Sequence, residues 1–235
     1  RAERGNSMTD MTPSTEPKPQ KIWNVPNILS LIRMVLVPVC IAAVLYAGKW
    51  FAGVANETAR VWLICLVPTL IFILTSLTDM LDGKIARKYG LITDFGKFID
   101  PLADKFMVFG LLIAILTANL YEGIRPVFVW VAAVVILREL GVTSLRLVVA
   151  SRGVVVPASW WGKIKTVTQI CALVVILMEP ALTHHLAATA ATTSFNIWYN
   201  GHLAAALAMG AMTFTTVGSG LDYLTHLWPY VAGKK

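Results

Sequence analysis

Apolar residues along this chain gather in six long runs, at about 28–47, 61–80, 95–116, 127–150, 160–178 and 202–223. Each is close to the twenty or so residues that a helix needs to cross a hydrocarbon layer roughly 30 Å thick. The pattern predicts an all-α integral membrane protein with six transmembrane helices. An even number of spans puts both chain ends on one side. The cations agree with one orientation, because cytoplasmic loops carry the excess of Lys and Arg. Lys18 and Lys21, then Lys84, Arg87 and Lys88, then Arg152, then Lys234 and Lys235 all fall on the same side. The opposite loops hold Lys49, Arg60 and Arg125, partly balanced by Glu57, Glu122 and Glu179.

Around these runs the chain is simple. Residues 1–20 are polar, with Pro13, Pro17 and Pro19, and read as a disordered tail or a cloning remnant. Residues 21–228 read as one six-helix membrane domain, opened by Lys21-Ile22-Trp23 as an anchor at headgroup level. Residues 229–235 read as a short tail. No second soluble domain, internal repeat or short cleavable signal peptide is expected, and the first run reads as a permanent span.

Composition sharpens this picture. Of 235 residues, 57% are hydrophobic and 14% charged, against roughly 25% charged in a soluble domain. The net charge of +7, in so apolar a chain, fits anionic lipid or phosphate. No basic stripe with interleaved aromatics is present, so no nucleic-acid partner is expected. Cys40, Cys65 and Cys171 are isolated thiols inside apolar runs and read as small core residues. His184 and His185 read as part of a polar loop in preference to a metal site.

One stretch, Asp79 to Asp104, breaks the apolar pattern with four carboxylates: Asp79, Asp82, Asp100 and Asp104. An ionisable side chain at membrane depth costs roughly 2.5–3.5 kcal/mol on insertion scales. Four together need counter-charge, and divalent metal held by hard oxygen ligands is the natural candidate. Asp79 and Asp82 are three apart and Asp100 and Asp104 four apart, so each pair shares a helix face. Lys88-Tyr89-Gly90 reads as a helix end with glycine at the cap. An antiparallel hairpin centred there sets Asp79 opposite Asp100 and brings the four carboxylates into one polar, metal-binding cavity facing the cytoplasm. A solvated hairpin, its acids paired with Lys84, Arg87, Lys97 and Lys105, would not need those acids on two facing stripes.

The stretch Asp79-x2-Asp82-Gly83-x2-Ala86-Arg87-x8-Gly96-x3-Asp100-x3-Asp104 resembles the complete motif of the CDP-alcohol phosphotransferases. Those are integral membrane enzymes that move a phosphatidyl group from CDP-diacylglycerol to an alcohol. Asn24-x2-Asn27-x2-Ser30-x2-Arg33, Arg138-Glu139 and Trp161-Gly162-Lys163-x-Lys165-Thr166 are similar to the bacterial phosphatidylglycerophosphate synthases among them. The likeness runs from about Trp23 to Met178. It implies two divalent ions, Mg²⁺ or Mn²⁺, on Asp79, Asp82, Asp100 and Asp104. It also implies a CDP pocket of Gly83, Ala86, Arg87 and Gly96, with sn-glycerol 3-phosphate as acceptor and a homodimer in the plasma (inner) membrane. Glycines let a nucleotide approach helix backbone closely, and Arg87 is a fixed cation suited to phosphate. Asn27 reads either as part of the CDP cavity or as a helix cap. Asp104, at the far end of the cluster, is the candidate general base.

Further polar groups interrupt the later runs. Arg138 and Glu139 follow Val131–Leu137, Arg146 comes two turns on, and Lys163 and Lys165 open the next run. One reading makes them a structural ion pair and two lysines snorkelling to the interface. The other makes Arg138, Arg146, Lys163 and Lys165 a pocket for a phosphate on the incoming alcohol. Synthases of cardiolipin or phosphatidylinositol phosphate are the alternatives inside the family. Outside it stand a membrane prenyltransferase and an ion carrier with an Asp-lined path, neither of which needs Ala-Arg-x8-Gly at fixed offsets.

Overall fold

The computed structural model describes residues 25–89, 94–118, 120–151, 159–189 and 202–231, with side chains described for 27–78, 102–118, 120–151, 159–186 and 202–230. Six long helices make up this part of the chain: α1 (Val25–Trp50), α2 (Glu57–Tyr89), α3 (Asp94–Thr117), α4 (Arg125–Ser151), α5 (Trp160–Thr189) and α6 (Leu203–Val231). A 3-10 turn, Glu122–Ile124, leads into α4. The helices begin where polar groups can accept the first free N–H groups. Asn56 Oδ1 accepts the Ala59 N–H at 3.0 Å, and Ser159 Oγ accepts the Gly162 N–H at 3.1 Å.

The helices close into a ring. α1 packs on α2 and α3, α2 on α5, α5 on α6, and α6 on α4; a thinner contact between α3 and α4 completes it. Lipid gives helices no hydrophobic reason to associate, so close packing and small residues hold them together. Ala43, Ala47, Ala103, Ala181 and Ala205 are accordingly buried without residual exposure. Leu111, Leu112 and Ile115 of α3 meet Phe72 of α2, Phe128 of α4, Leu173 and Ile176 of α5, and Met209 and Met212 of α6 in one apolar core. The outside of the ring is apolar too. Trp130, Leu137 and Phe214 are at least 70% exposed, which water would not favour and lipid does.

Among the described residues, five helices are long and apolar enough to cross a membrane. Among the described residues the regular structure is all helical, and the chain is a multi-pass membrane protein. The remaining helix, α3, carries Asp94, Lys97, Asp100, Asp104 and Lys105 in its first half. α2 is instructive in the same way. Its apolar span is Glu57–Thr78, and the helix runs on through the acidic stretch to Tyr89.

Three expectations change. α5 runs eleven residues past Met178 to Thr189, so His184 and His185 are helical and not in a loop; the His185 ring stands edge-on to Trp62 at 6.1 Å. Glu179 is no loop charge but is buried, because it closes the start of α6 by accepting the Ala205 N–H at 3.0 Å. Cys40 and Cys65 are buried as expected, while Cys171 lies on the outside of the bundle.

Candidate active site

The motif divides over two helices as its spacing requires. Asp79 and Asp82 occupy positions one turn apart near the end of α2, and Asp100 and Asp104 positions one turn apart near the start of α3. α2 ends at Tyr89, where the sequence places a helix end, and α3 begins at Asp94. Gly83, Ala86 and Arg87 lie on α2 and Gly96 on α3. The side chains of 79–101 and the chain at 90–93 lie outside the described residues, as does Arg152. Among the described residues, no three His, Cys, Asp or Glu side chains form a metal-sized cluster. The donor set nevertheless suits hard divalent ions: carboxylates alone, in helical pairs one turn apart.

Asp104 is described, and it opens onto a cleft inside the ring. Ser76 of α2, Asp104 and Lys105 of α3, Glu139 of α4, and Lys165, Thr166 and Gln169 of α5 line this cleft, with Met107, Val108 and Ile170 behind. Four helices thus bring together residues up to ninety-odd positions apart in sequence. Ser76 also ties α2 to α3, its hydroxyl lying 3.7 Å from Met107 Sδ. Its main bond goes back to the Phe72 carbonyl at 2.9 Å, as Thr166 bonds the Gly162 carbonyl at 3.1 Å. Such back-bonding satisfies hydroxyls inside apolar helices.

The proposed acceptor residues separate into two kinds. Lys165 is buried and ion-paired with Glu139, so it does not snorkel. Glu139 also meets Arg138 at 3.3 Å. Arg138 turns away from the cleft towards α6, where it donates to Ser219 Oγ and lies 5.9 Å from the centre of the Tyr223 ring. Tyr223 in turn accepts the Ser159 N–H at 3.0 Å. Arg138 therefore joins α4 to α6 and to the start of α5. Lys163 and Arg146 are exposed, and Arg146 is within electrostatic reach of Lys105. On α1, Asn27, Ser30 and Arg33 are buried at three-residue steps, with Arg33 wholly enclosed.

Sequence reasoning passed over two parts of this arrangement. Gln169, three residues past the Trp161–Thr166 stretch, was given no role, though an amide one turn beyond a buried lysine is a visible signal. Ser219 and Tyr223 carry no motif; only the need of Glu139 and Arg138 for partners at membrane depth points towards them.

At the opposite end, Glu179, Tyr121 and His202 form a second polar knot. Tyr121 donates its phenol proton to the Ile176 carbonyl, and its ring stands edge-on to His202 at 5.0 Å. Burial, with the Glu179 carboxylate beside it, holds this phenol far above its ordinary pKa, so it remains a neutral donor.

A ring of membrane helices with a cleft bounded by acids and cations at one end, next to a paired-aspartate motif, defines a membrane enzyme site. The CDP-alcohol phosphatidyltransferase family model matches residues 23–218, and the chain belongs to that family. The match runs forty residues past Met178, so the likeness extends through just over half of α6. A Mycobacterium tuberculosis protein named "Probable phosphatidylglycerophosphate synthase" is 37% identical over 91% of this chain and 86% of its own length. A Bacillus subtilis protein named "CDP-diacylglycerol--glycerol-3-phosphate 3-phosphatidyltransferase" is 37% identical over 88% of this chain and 96% of its own. A Rickettsia felis protein of the same name is 35% identical over 66% of this chain and 75% of its own.

Proposed function

We infer that this chain transfers the phosphatidyl group of CDP-diacylglycerol to sn-glycerol 3-phosphate, giving phosphatidylglycerophosphate and CMP. The observation that carries the reading is the whole aspartate motif on α2 and α3, in a chain of this family. The names of relatives matching some nine-tenths of it favour glycerol 3-phosphate over the cardiolipin and phosphatidylinositol phosphate alternatives. The working protein spans the plasma membrane six times, α3 included, with the motif end in the cytoplasm, and acts as a homodimer.

The roles follow from the residues. Asp79, Asp82, Asp100 and Asp104 hold two divalent ions, Mg²⁺ or Mn²⁺, which when bound neutralise charge developing on the pyrophosphate. Gly83, Ala86, Arg87 and Gly96 receive the CDP portion, with Asn27 at its edge. The acceptor hydroxyl oxygen bonds to the lipid-bearing phosphorus, the bond from that phosphorus to the CMP oxygen breaks, and CMP departs. Asp104, on the cleft wall, takes the hydroxyl proton. Arg146 and Lys163 bind the acceptor phosphate at the mouth. Lys165 adds positive potential from inside, tempered by Glu139, and Arg138 keeps that pair in place from the α6 side.

The test is CMP release by the purified chain with Mg²⁺ and a panel of acceptors: glycerol 3-phosphate, inositol phosphate, inositol, serine and phosphatidylglycerol. Glycerol 3-phosphate should lead the panel. Turnover led by inositol phosphate or phosphatidylglycerol would move the assignment to another branch of the family.

A further inference from the structure

We propose that Gln169 reads the acceptor, its side-chain amide bonding the hydroxyl of the polyol phosphate that does not react. The amide lines the cleft beside Asp104, Lys165 and Thr166. Gln169 is 2% exposed, and its Nε2 has no hydrogen-bond partner among the described residues. A buried polar group left unsatisfied is costly, so an open amide N–H inside a tight bundle calls for an acceptor to bond it.

The neighbours narrow what that is. Lys165 and Glu139 are taken up with each other, and the hydroxyls of Ser76 and Thr166 bond their own helix carbonyls. Among the described residues of this wall, the Gln169 Nε2 is a neutral donor left open. A neutral amide suits an alcohol, which both donates and accepts, better than a phosphate dianion, which calls for charged donors. Gln169 is one helical turn beyond Lys165, on the same face of α5. An acceptor whose phosphate lies towards Lys163 and whose reacting hydroxyl lies at Asp104 brings its middle hydroxyl to this depth. A site built to bond a hydroxyl penalises an analogue lacking it, because its own polar group is then left unpaired.

This inference rests on glycerol 3-phosphate being the acceptor, and the experiment separates the two. The full chain in detergent with Mg²⁺ is assayed with glycerol 3-phosphate and with 3-hydroxypropyl phosphate, which keeps the phosphate and a terminal hydroxyl and lacks the middle one. The wild type should prefer glycerol 3-phosphate by about tenfold or more in kcat/KM. Gln169→Met, of nearly the same shape, should reduce that preference to about twofold or less and leave the KM for CDP-diacylglycerol unchanged; Gln169→Leu serves if the Met variant does not fold. A variant that keeps the wild-type preference overturns the proposal, since Gln169 then only packs or holds a water. So does a wild type indifferent to the middle hydroxyl. A wild type that uses neither acceptor overturns the functional reading itself.

Discussion

The two ends of this bundle bury different things. From its middle to the end away from the aspartate motif, the bundle is filled by Phe72, Leu111, Leu112, Ile115, Phe128, Leu173, Ile176, Met209 and Met212. The motif end buries Asn27, Ser30, Arg33, Lys165 and Gln169 on helices just as apolar outside. Each end also holds a carboxylate inside the bundle, Glu179 buried and Glu139 half-buried, and those two acids explain the difference. Glu179 is occupied in structure, with the Ala205 N–H at 3.0 Å and His202 Nδ1 at 3.8 Å. Glu139 is held by two cations, one of which stands on the wall of an internal cleft. Burial of charge in a membrane protein is therefore no mark of function by itself; what matters is whether its partners face open space.

The largest expected effect separates the ends completely. Asp79→Asn or Asp100→Asn should abolish CMP release at any Mg²⁺ concentration, because losing one carboxylate of a pair leaves too little charge to hold the ions. Near-normal turnover in either would remove the two-ion reading. Asp104→Asn should lower kcat far more than it weakens CDP-diacylglycerol binding. Equal loss of both would make Asp104 mainly a metal ligand and remove its role as base. In the apolar core, Phe72→Ala should lower unfolding stability in detergent by about 3–5 kcal/mol while the folded fraction keeps its kcat.

How much of this could be read beforehand follows the same division. The apolar runs gave the helices, since length and hydropathy alone define them in a bilayer. Their ends were less legible. α5 continues past Glu179 and Pro180 because Glu179 finds its partner on α6, which no local pattern announces. The motif was legible because one short stretch carries it on two consecutive helices. The ring order was not, since the contacts of α2 with α5 and of α4 with α6 depend on packing between distant segments. Arg138 shows the limit most clearly: its sequence neighbours place it with the acceptor cations, and its partners Ser219 and Tyr223 turn it to α6.

A smaller effect sharpens the contrast between the two acids. Glu179→Ala leaves the Ala205 N–H without its acceptor in a buried setting, which should cost about 2 kcal/mol. Glu179→Gln keeps an acceptor oxygen there and should recover most of that loss. In both variants the KM values for both substrates should stay at wild-type level. A raised KM for either would mean that the two ends are coupled and that the knot around Tyr121 and His202 reaches the site.

The smallest expected effect concerns the cations at the mouth. Lys165 is buried and paired with Glu139, whereas Lys163 and Arg146 are exposed at the mouth, where an acceptor phosphate arrives. Charge-assisted bonds to a phosphate dianion are strong, but solvent screens them at such positions. Lys163→Ala and Arg146→Ala should each raise the apparent KM for glycerol 3-phosphate about tenfold, a loss of roughly 1.4 kcal/mol. The KM for CDP-diacylglycerol should move much less, and glycerol without its phosphate should be a poor acceptor for the wild type. Raising ionic strength should weaken the wild type's hold on glycerol 3-phosphate and affect the two variants less, because each has already lost one screened contact. If both substitutions leave the acceptor KM untouched, the phosphate lies deeper, against Lys165. In that case Glu139→Gln, which frees Lys165 from its carboxylate partner, should lower the acceptor KM where the surface variants did nothing.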